Sequence, residues 1–325
     1  MTFRSAKRRD ALIWAAALIG LALVAPHFLY PIFLMRALCL ALFACAFNLL
    51  LGYVGLLSFG HAAFMGGAAY ITAQAVKVWG LPPELGILAG VAVAASLGAV
   101  FGWLAIRRQG IYFAMITLAL AQMVAFFALE APFTGGEDGI QAVPRGHLFG
   151  LIDLDNTLAM YYFVLAVFLI GFAIIQRTVN SPFGQVIKAI RENEPRAISL
   201  GYRAERYKLL AFVLSAALAG LAGATKCLVL QFASLTDVDW TTSGAVVLMT
   251  LVGGVGTPLG PVVGAFIIVT MENYLAQTGS WVTIIEGVIF VVCVLTFRRG
   301  IVGVIAPYLT SRSEPEATEP SAETL

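Results

Sequence analysis

Apolar runs of about 20 residues recur along the whole chain, each long enough to cross a hydrocarbon core of about 30 Å as a helix. They fall near residues 11–30, 32–51, 53–76, 85–106, 111–130, 159–176, 208–230, 243–276 and 281–297, with short polar turns between them. The pattern predicts an all-α fold, a polytopic membrane helical bundle of about 9–10 membrane segments. One run breaks the count. At 1.5 Å per residue, 243–276 would make a helix of roughly 50 Å, too long for a single pass. It is expected to fold back at its centre, "LVGGVGTPLGPVVGA", where Gly253, Gly254, Gly256, Pro258, Gly260, Pro261 and Gly264 oppose a continuous helix.

A second run is unusual for its polar content. "NLLLGYVGLLSFGHAAFMGGAAY", Asn48 to Tyr70, carries five glycines together with Asn48, Ser58 and His61. Its Gly52-Tyr53-Val54-Gly55 echoes Gly253-Gly254-Val255-Gly256, and each leads into further glycines. Gly256, Gly260 and Gly264 recur every fourth residue, which on a helix clears one face for close approach of a neighbour. Two readings stand side by side. In one, the glycines only allow tight packing. In the other, two broken or re-entrant glycine-rich segments in corresponding halves mark a solute path. Freed backbone groups are tolerated at membrane depth only where protein buries them or a wet cavity meets them. On the second reading the candidate pathway residues are Asn48, Gly55, Ser58, Gly60, His61, Gly253, Gly254, Gly256 and Gly260. His61 is either a neutral imidazole bonded to a neighbouring carbonyl or a lining residue, since ionisable groups inside membranes are functional suspects. Glu272, Glu286 and Lys226 lie near helix ends, where snorkelling explains them as well as function does.

Composition narrows the class. Hydrophobic residues make up 60% of the 325 and charged residues 12%, against about 25% charged in a soluble domain, so no segment remains for a soluble domain. A net charge of +2 gives no basis for a nucleic-acid partner. The four cysteines, Cys39, Cys45, Cys227 and Cys293, sit inside apolar runs without C-x-x-C spacing and read as packing residues, with no metal site or cofactor implied. The basic residues act as topology signals. Arg4, Lys7, Arg8 and Arg9 put residues 1–10 in the cytoplasm, and the first apolar run is read as a retained helix. Counting passes from there puts Arg107, Arg108 and the loop 177–207 on the same side. Residues 131–158, with Glu137, Asp138, Asp153 and Asp155, and the Asp237–Asp239 turn fall outside. The fold-back returns Arg298 and Arg299 to the cytoplasm. The membrane domain is thus expected over 11–300, with a polar, disordered tail over 301–325.

The loop 177–207 is unusually structured. Ser181 is placed to cap a helix with Pro182 at its first position, and Val186, Ile187 and Ile190 form an apolar stripe beside Lys188 and Arg191. That stripe either lies on the membrane surface or docks in a groove on a soluble partner.

Three motifs carry a resemblance. "SPFGQVIKAIRENEPRAISLGYRAERYKLLAFVLSAALAGLAGA" closely resembles the cytoplasmic loop and following helix of LivM-type permeases, the branched-chain amino acid subunits of ABC importers. "NLLLGYVGLLSFGHAAFMGGAAY" and "GGVGTPLGPVVGA" resemble two further signatures of that family, in the family's order, and the likeness covers roughly residues 35–300. It implies a multi-pass subunit of the bacterial inner membrane, embedded in lipid and paired with a LivH-like second permease. Two cytoplasmic ABC ATPases and a periplasmic substrate-binding protein would complete the importer. It also implies ATPase docking on the loop, with Lys188, Arg191, Glu192, Glu194, Ala197 and Gly201 as candidate coupling residues. The stretch around Glu194, Ala197 and Gly201 stands where such importers carry the EAA motif, although Pro195 and Arg196 replace the usual alanines and the glycine is displaced by one position. Relatives of this family serve urea, short amides and aromatic acids as well as leucine, isoleucine and valine.

The chain itself carries no ATP chemistry. Its nearest approach to a phosphate loop, "GATKC" from Gly223 to Cys227, lacks the Gly-Lys-Ser/Thr sequence. An ion-coupled secondary transporter needs carboxylates near the midplane. An intramembrane enzyme needs clustered catalytic side chains, whereas His27, His61 and His147 are far apart in sequence.

Overall fold

The computed structural model describes residue 20, residues 22–275 and a few positions beyond them (284, 285, 287, 288, 291 and 300–303). Half of the expected helix over 11–30, most of the span over 281–297, and Cys293, Glu286, Arg298, Arg299 and most of the two termini lie outside the described residues; the described part of 11–30 ends in the 3-10 turn Ala25–His27 before α1 begins.

The described chain is an all-α bundle. Its helices are α1 (Pro31–Asn48), α2 (His61–Lys77), α3 (Pro83–Ala105), α4 (Ile111–Glu130), α5 (Thr157–Asn180), α6 (Pro182–Glu192), α7 (Glu194–Ser199), α8 (Ala204–Leu230), α9 (Trp240–Gly253) and α10 (Gly260–Leu275). Five are long and apolar enough to cross a membrane: α3, α4, α5, α8, and α1 together with the π-turn Leu49–Val54 that continues it. Proline opens α1, α3 and α6 at a position where its missing N–H costs nothing.

Burial sorts these helices into centre and rim. From Leu34 to Leu50 only Arg36 is not buried, so α1 forms the axis of the bundle. Around it α2, α3 and α8 pack most tightly on one another, and α5, α9 and α10 lie against α1. Small residues permit the close crossings: Gly98 and Gly220 meet Ala216 and Ala94, and Gly223 meets the Met65 backbone. With no water to bury apolar surface from, packing and internal hydrogen bonds are what hold such helices together. The free cysteines Cys39, Cys45 and Cys227 are buried among them, as expected of packing residues.

The turns segregate to two ends. At one end Gln109, between α3 and α4, donates to Glu194 of α7. At the other, Lys77 donates to the Gln141 carbonyl, and Ile140 pairs with Ala233 through backbone bonds. Arg145 there donates to the Leu228 and Val229 carbonyls at the end of α8. A small antiparallel pair, His147–Leu148 with Ile152–Asp153, decorates this second end.

Three sequence expectations change in detail. The long run 243–276 does fold back, as the packed pair α9 and α10, and the turn between them lies at the α6 end. Gly300 sits against Gly254, so the chain has returned to that end by residue 300. The span expected over 53–76 begins instead at His61. Gly52 does not break the preceding helix, which passes through it as a π-turn and stops at Gly55, in the left-handed region at φ 82°. The apolar stripe of α6 is largely turned into the chain itself, with Val186 half-buried at its margin. Ile187 and Ile190 are 0% and 2% exposed and pack on the bundle and on Ala197 and Ala204. Burial of each supplies about 1.5–3 kcal/mol.

Candidate functional site

The glycine-rich end of α1 meets the glycine-rich turn between α9 and α10. A methyl group added at Gly52 would lie 2.7 Å from the Gly256 nitrogen and 2.9 Å from its Cα, so the two backbones touch where neither residue has a side chain. Asn48, one turn before Gly52, holds the contact. Its Oδ1 accepts from the Gly256 N–H at 2.9 Å, and its Nδ2 donates to the Thr257 carbonyl at 3.0 Å. Thr257 in turn donates to the Gly254 carbonyl and accepts from the Gly260 N–H, capping the start of α10. Gly253 faces the Gly260 carbonyl and Gly264 the Met249 carbonyl, so α9 and α10 cross glycine on backbone.

The same junction receives α6. A helix ends with carbonyls that have no partner within it and with the negative end of its dipole. The Gly52 carbonyl is one of these, and the Arg191 guanidinium donates to it. Lys188, one turn earlier on α6, lies 5.6 Å from the centre of the Tyr53 ring. Gly55 lies against the stem of Arg191, with an added methyl 3.0 Å from its Cγ. The basic face of α6 therefore closes the end of α1 while its apolar face packs into the bundle.

The opposite flank of the break is polar and largely buried. Ser58 accepts from the Gly60 N–H at 3.1 Å, Thr117 of α4 from the Phe59 N–H at 3.2 Å, and Ser243 of α9 from the Ala62 N–H at 3.0 Å. These amides, freed where the helix is interrupted, are met by hydroxyls of the chain itself. His61 is fully buried among Phe47, Phe64 and Phe212, all edge-on, with centroids 5.0–6.1 Å away. Its Nε2 lies 2.9 Å from the Ser215 hydroxyl, which gives its one hydrogen to the Ala46 carbonyl at 2.6 Å. With the Ser215 hydrogen so used, a neutral ring donates from Nε2, and among the described residues Nδ1 is then a buried acceptor without a partner.

The pathway candidates fall in two places: Asn48, Gly253, Gly254, Gly256 and Gly260 at the junction of α1 with the α9–α10 turn, and Ser58, Gly60 and His61 where the start of α2 meets α4, α8 and the start of α9. Asn48, Ser58, Gly60, His61, Gly253, Gly254 and Gly260 are buried within the chain, Gly256 is half-buried and Gly55 exposed. Lys188 and Arg191 join the first place from α6. The remaining coupling candidates form a separate group. Glu194 accepts from Lys208 at 2.6 Å and from Gln109 at 2.7 Å, Ala197 is buried beside Ile190, and Gly201 ends α7 at φ 90° with its N–H on the Ile198 carbonyl. Glu192 is exposed. Of the charged residues noted near helix ends, Glu272 pairs with Arg36 of α1 at 2.6 Å and Lys226 with Asp237. Sequence reasoning missed Ser215, Thr117, Ser243 and Thr257. Their signal was a hydroxyl inside an otherwise apolar run or beside a glycine break.

Residues 30–295 match the family described as the branched-chain amino acid transport system permease component. The chain belongs to this family. The high-affinity branched-chain amino acid permease LivM of Salmonella typhimurium is 27% identical over 290 residues, covering 82% of this chain and 68% of that protein. LivM of Escherichia coli is 26% identical over 285 residues, covering 81% and 67%. The ribose import permease RbsC of Bacillus subtilis is 29% identical over 196 residues, covering 55% and 58%. The chain is accordingly a multi-pass ABC permease component and not an enzyme. Among the described residues no cluster of His, Cys, Asp or Glu is placed to hold a metal.

Proposed function

We propose that this permease is a pathway-forming subunit of an ATP-driven importer of branched-chain amino acids in a bacterial inner membrane. Its α6 end faces the cytoplasm, where α6 and α7 receive an ABC ATPase, and a LivH-like permease forms the other half of the path. A periplasmic binding protein delivers the solute to the opposite end. The observation that carries this reading is the bond from Arg191 of α6 to the Gly52 carbonyl. It joins an amphipathic helix at one end of the bundle to the place where both broken segments meet. A push on α6 reaches the ends of α1, α9 and α10 together, because Asn48 ties them. The broken segments act as a hinge for the path, and their buried polar groups hold its shape.

The likeness to a ribose permease supports a second reading of the solute alone, in which the cargo is another small polar molecule such as a sugar, urea, a short amide or an aromatic acid. Specificity then lies in the binding protein.

Two measurements test the reading. Full-length chain purified from its native membranes should bring down a second permease and ABC ATPases. In intact cells, single cysteines at Asp138 and Asp155 should react with an impermeant thiol reagent, and one at Glu192 should not. Reaction at 192 would reverse the orientation and remove α6 from the ATPase side.

A further inference from the structure

A groove of about 400 Å³ opens on the side of the bundle where α5, α6 and α8 meet, within the roughly 300–1,000 Å³ typical of small-ligand sites. Ile174, Arg177 and Thr178 of α5, Ser181 and Phe183 at the start of α6, and Leu210 and Leu214 of α8 line it, the Ser181 hydroxyl being already bonded to the Thr178 carbonyl. On α8, Leu214, Leu210 and Arg206 recur every fourth residue, so one stripe of the helix turns from apolar to basic. On α5, Ile174 and Arg177 do the same three residues apart. α5 runs toward α6 and α8 runs away from it, so both stripes become basic at the same level, at the end of the membrane-spanning helices. Among the described residues neither guanidinium has an ion-pair or hydrogen-bond partner. Glu205, the nearest acidic residue along α8, sits one position off the groove stripe.

We infer that this groove binds one anionic phospholipid from the leaflet at the α6 end, its acyl chain between α5 and α8 and its phosphate between Arg177 and Arg206. A helix of a partner protein would cover the apolar walls but gives no reason for two unpaired cations at one level. An acyl chain asks for no hydrogen bonds from walls whose backbone groups are already used in helices. The phosphate supplies the missing counter-charge. The site depends only on the chain spanning a bilayer and not on the solute or the ATPase.

The test places a benzophenone side chain at Leu210, which is exposed, in the full-length chain. The protein is held in nanodiscs of equal parts phosphatidylglycerol and phosphatidylcholine, and the lipid captured on illumination is identified by mass spectrometry. Phosphatidylglycerol adducts should exceed phosphatidylcholine adducts by about fivefold or more, since each basic residue near anionic headgroups raises their local occupancy by about that factor. Arg177→Gln with Arg206→Gln should bring the ratio near unity, and the double lysine variant should keep the preference. Equal capture in the unmodified chain, a preference unchanged in the glutamine variant, or capture of polypeptide in place of lipid would each overturn the assignment.

Discussion

Arg191 donates to the backbone carbonyl of Gly52, and that carbonyl belongs to a residue whose Cα touches the backbone of Gly256. One guanidinium thus meets the point where two distant glycine-rich segments converge. It also answers a local electrostatic need, because a cation is favoured at a helix C-terminus and an orphan carbonyl needs a donor.

The contact between backbones makes Gly52 intolerant of even a methyl group. Gly52→Ala should lower the thermal unfolding midpoint in detergent by an amount equivalent to about 2 kcal/mol or more, as overpacking against backbone cannot relax by rotamer change. Gly244→Ala is the control, since an added methyl there meets nothing, and within helix α9 it should stabilise by up to about 1 kcal/mol and not destabilise. Equal effects would mean that the Gly52–Gly256 contact is not tight.

Asn48 carries two bonds to the turn between α9 and α10, so its loss should loosen that turn specifically. We expect Asn48→Ala to cost about 2 kcal/mol, from two lost bonds and an unpaired amide. Amide exchange across 254–259 should quicken while the middle of α8 stays protected. Uniform quickening across the bundle would instead mark a global role.

Glu194 and Lys208 form an ion pair whose lysine side chain is only 5% exposed and whose carboxylate is 20% exposed. Removal of the carboxylate strands the more deeply buried charge, so Glu194→Gln should destabilise by about 2 kcal/mol or more, and Lys208→Met by less. The double variant should recover much of the loss. Two small, additive effects would show the pair to be solvated.

Local signals were legible in the sequence and distant ones were not. Ser181 and Pro182 announced the start of α6, and the glycines and prolines of 253–264 announced the fold-back; both act within a few residues. The start of α2 was misplaced because Gly52 reads as a breaker. Its missing side chain serves the approach of Gly256, a partner that no local window contains. The amphipathic pattern of α6 marked one apolar face without saying what covers it, and the cover is the chain's own core at Ile187 and Ile190. The polarity of His61 flagged it, but its bond to Ser215 depends on how α2 and α8 cross. The pathway and coupling candidates were set apart in sequence as two sites, whereas Arg191 and Lys188 stand against Gly52, Tyr53 and Gly55.

The measurement that bears most directly on α6 as the link to the broken segments is paired uptake and ATP hydrolysis in proteoliposomes. It compares the assembled importer carrying Arg191→Ala with those carrying Arg191→Lys and the unmodified chain. If the guanidinium transmits motion to the junction, Arg191→Ala should assemble normally and keep ATP hydrolysis within about twofold, while uptake falls about tenfold, the equivalent of losing one charge-assisted hydrogen bond. Arg191→Lys, which keeps the charge without the fork of donors, should fall between them. Uptake in Arg191→Ala equal to that of the unmodified chain at the same rate of ATP hydrolysis would contradict the link.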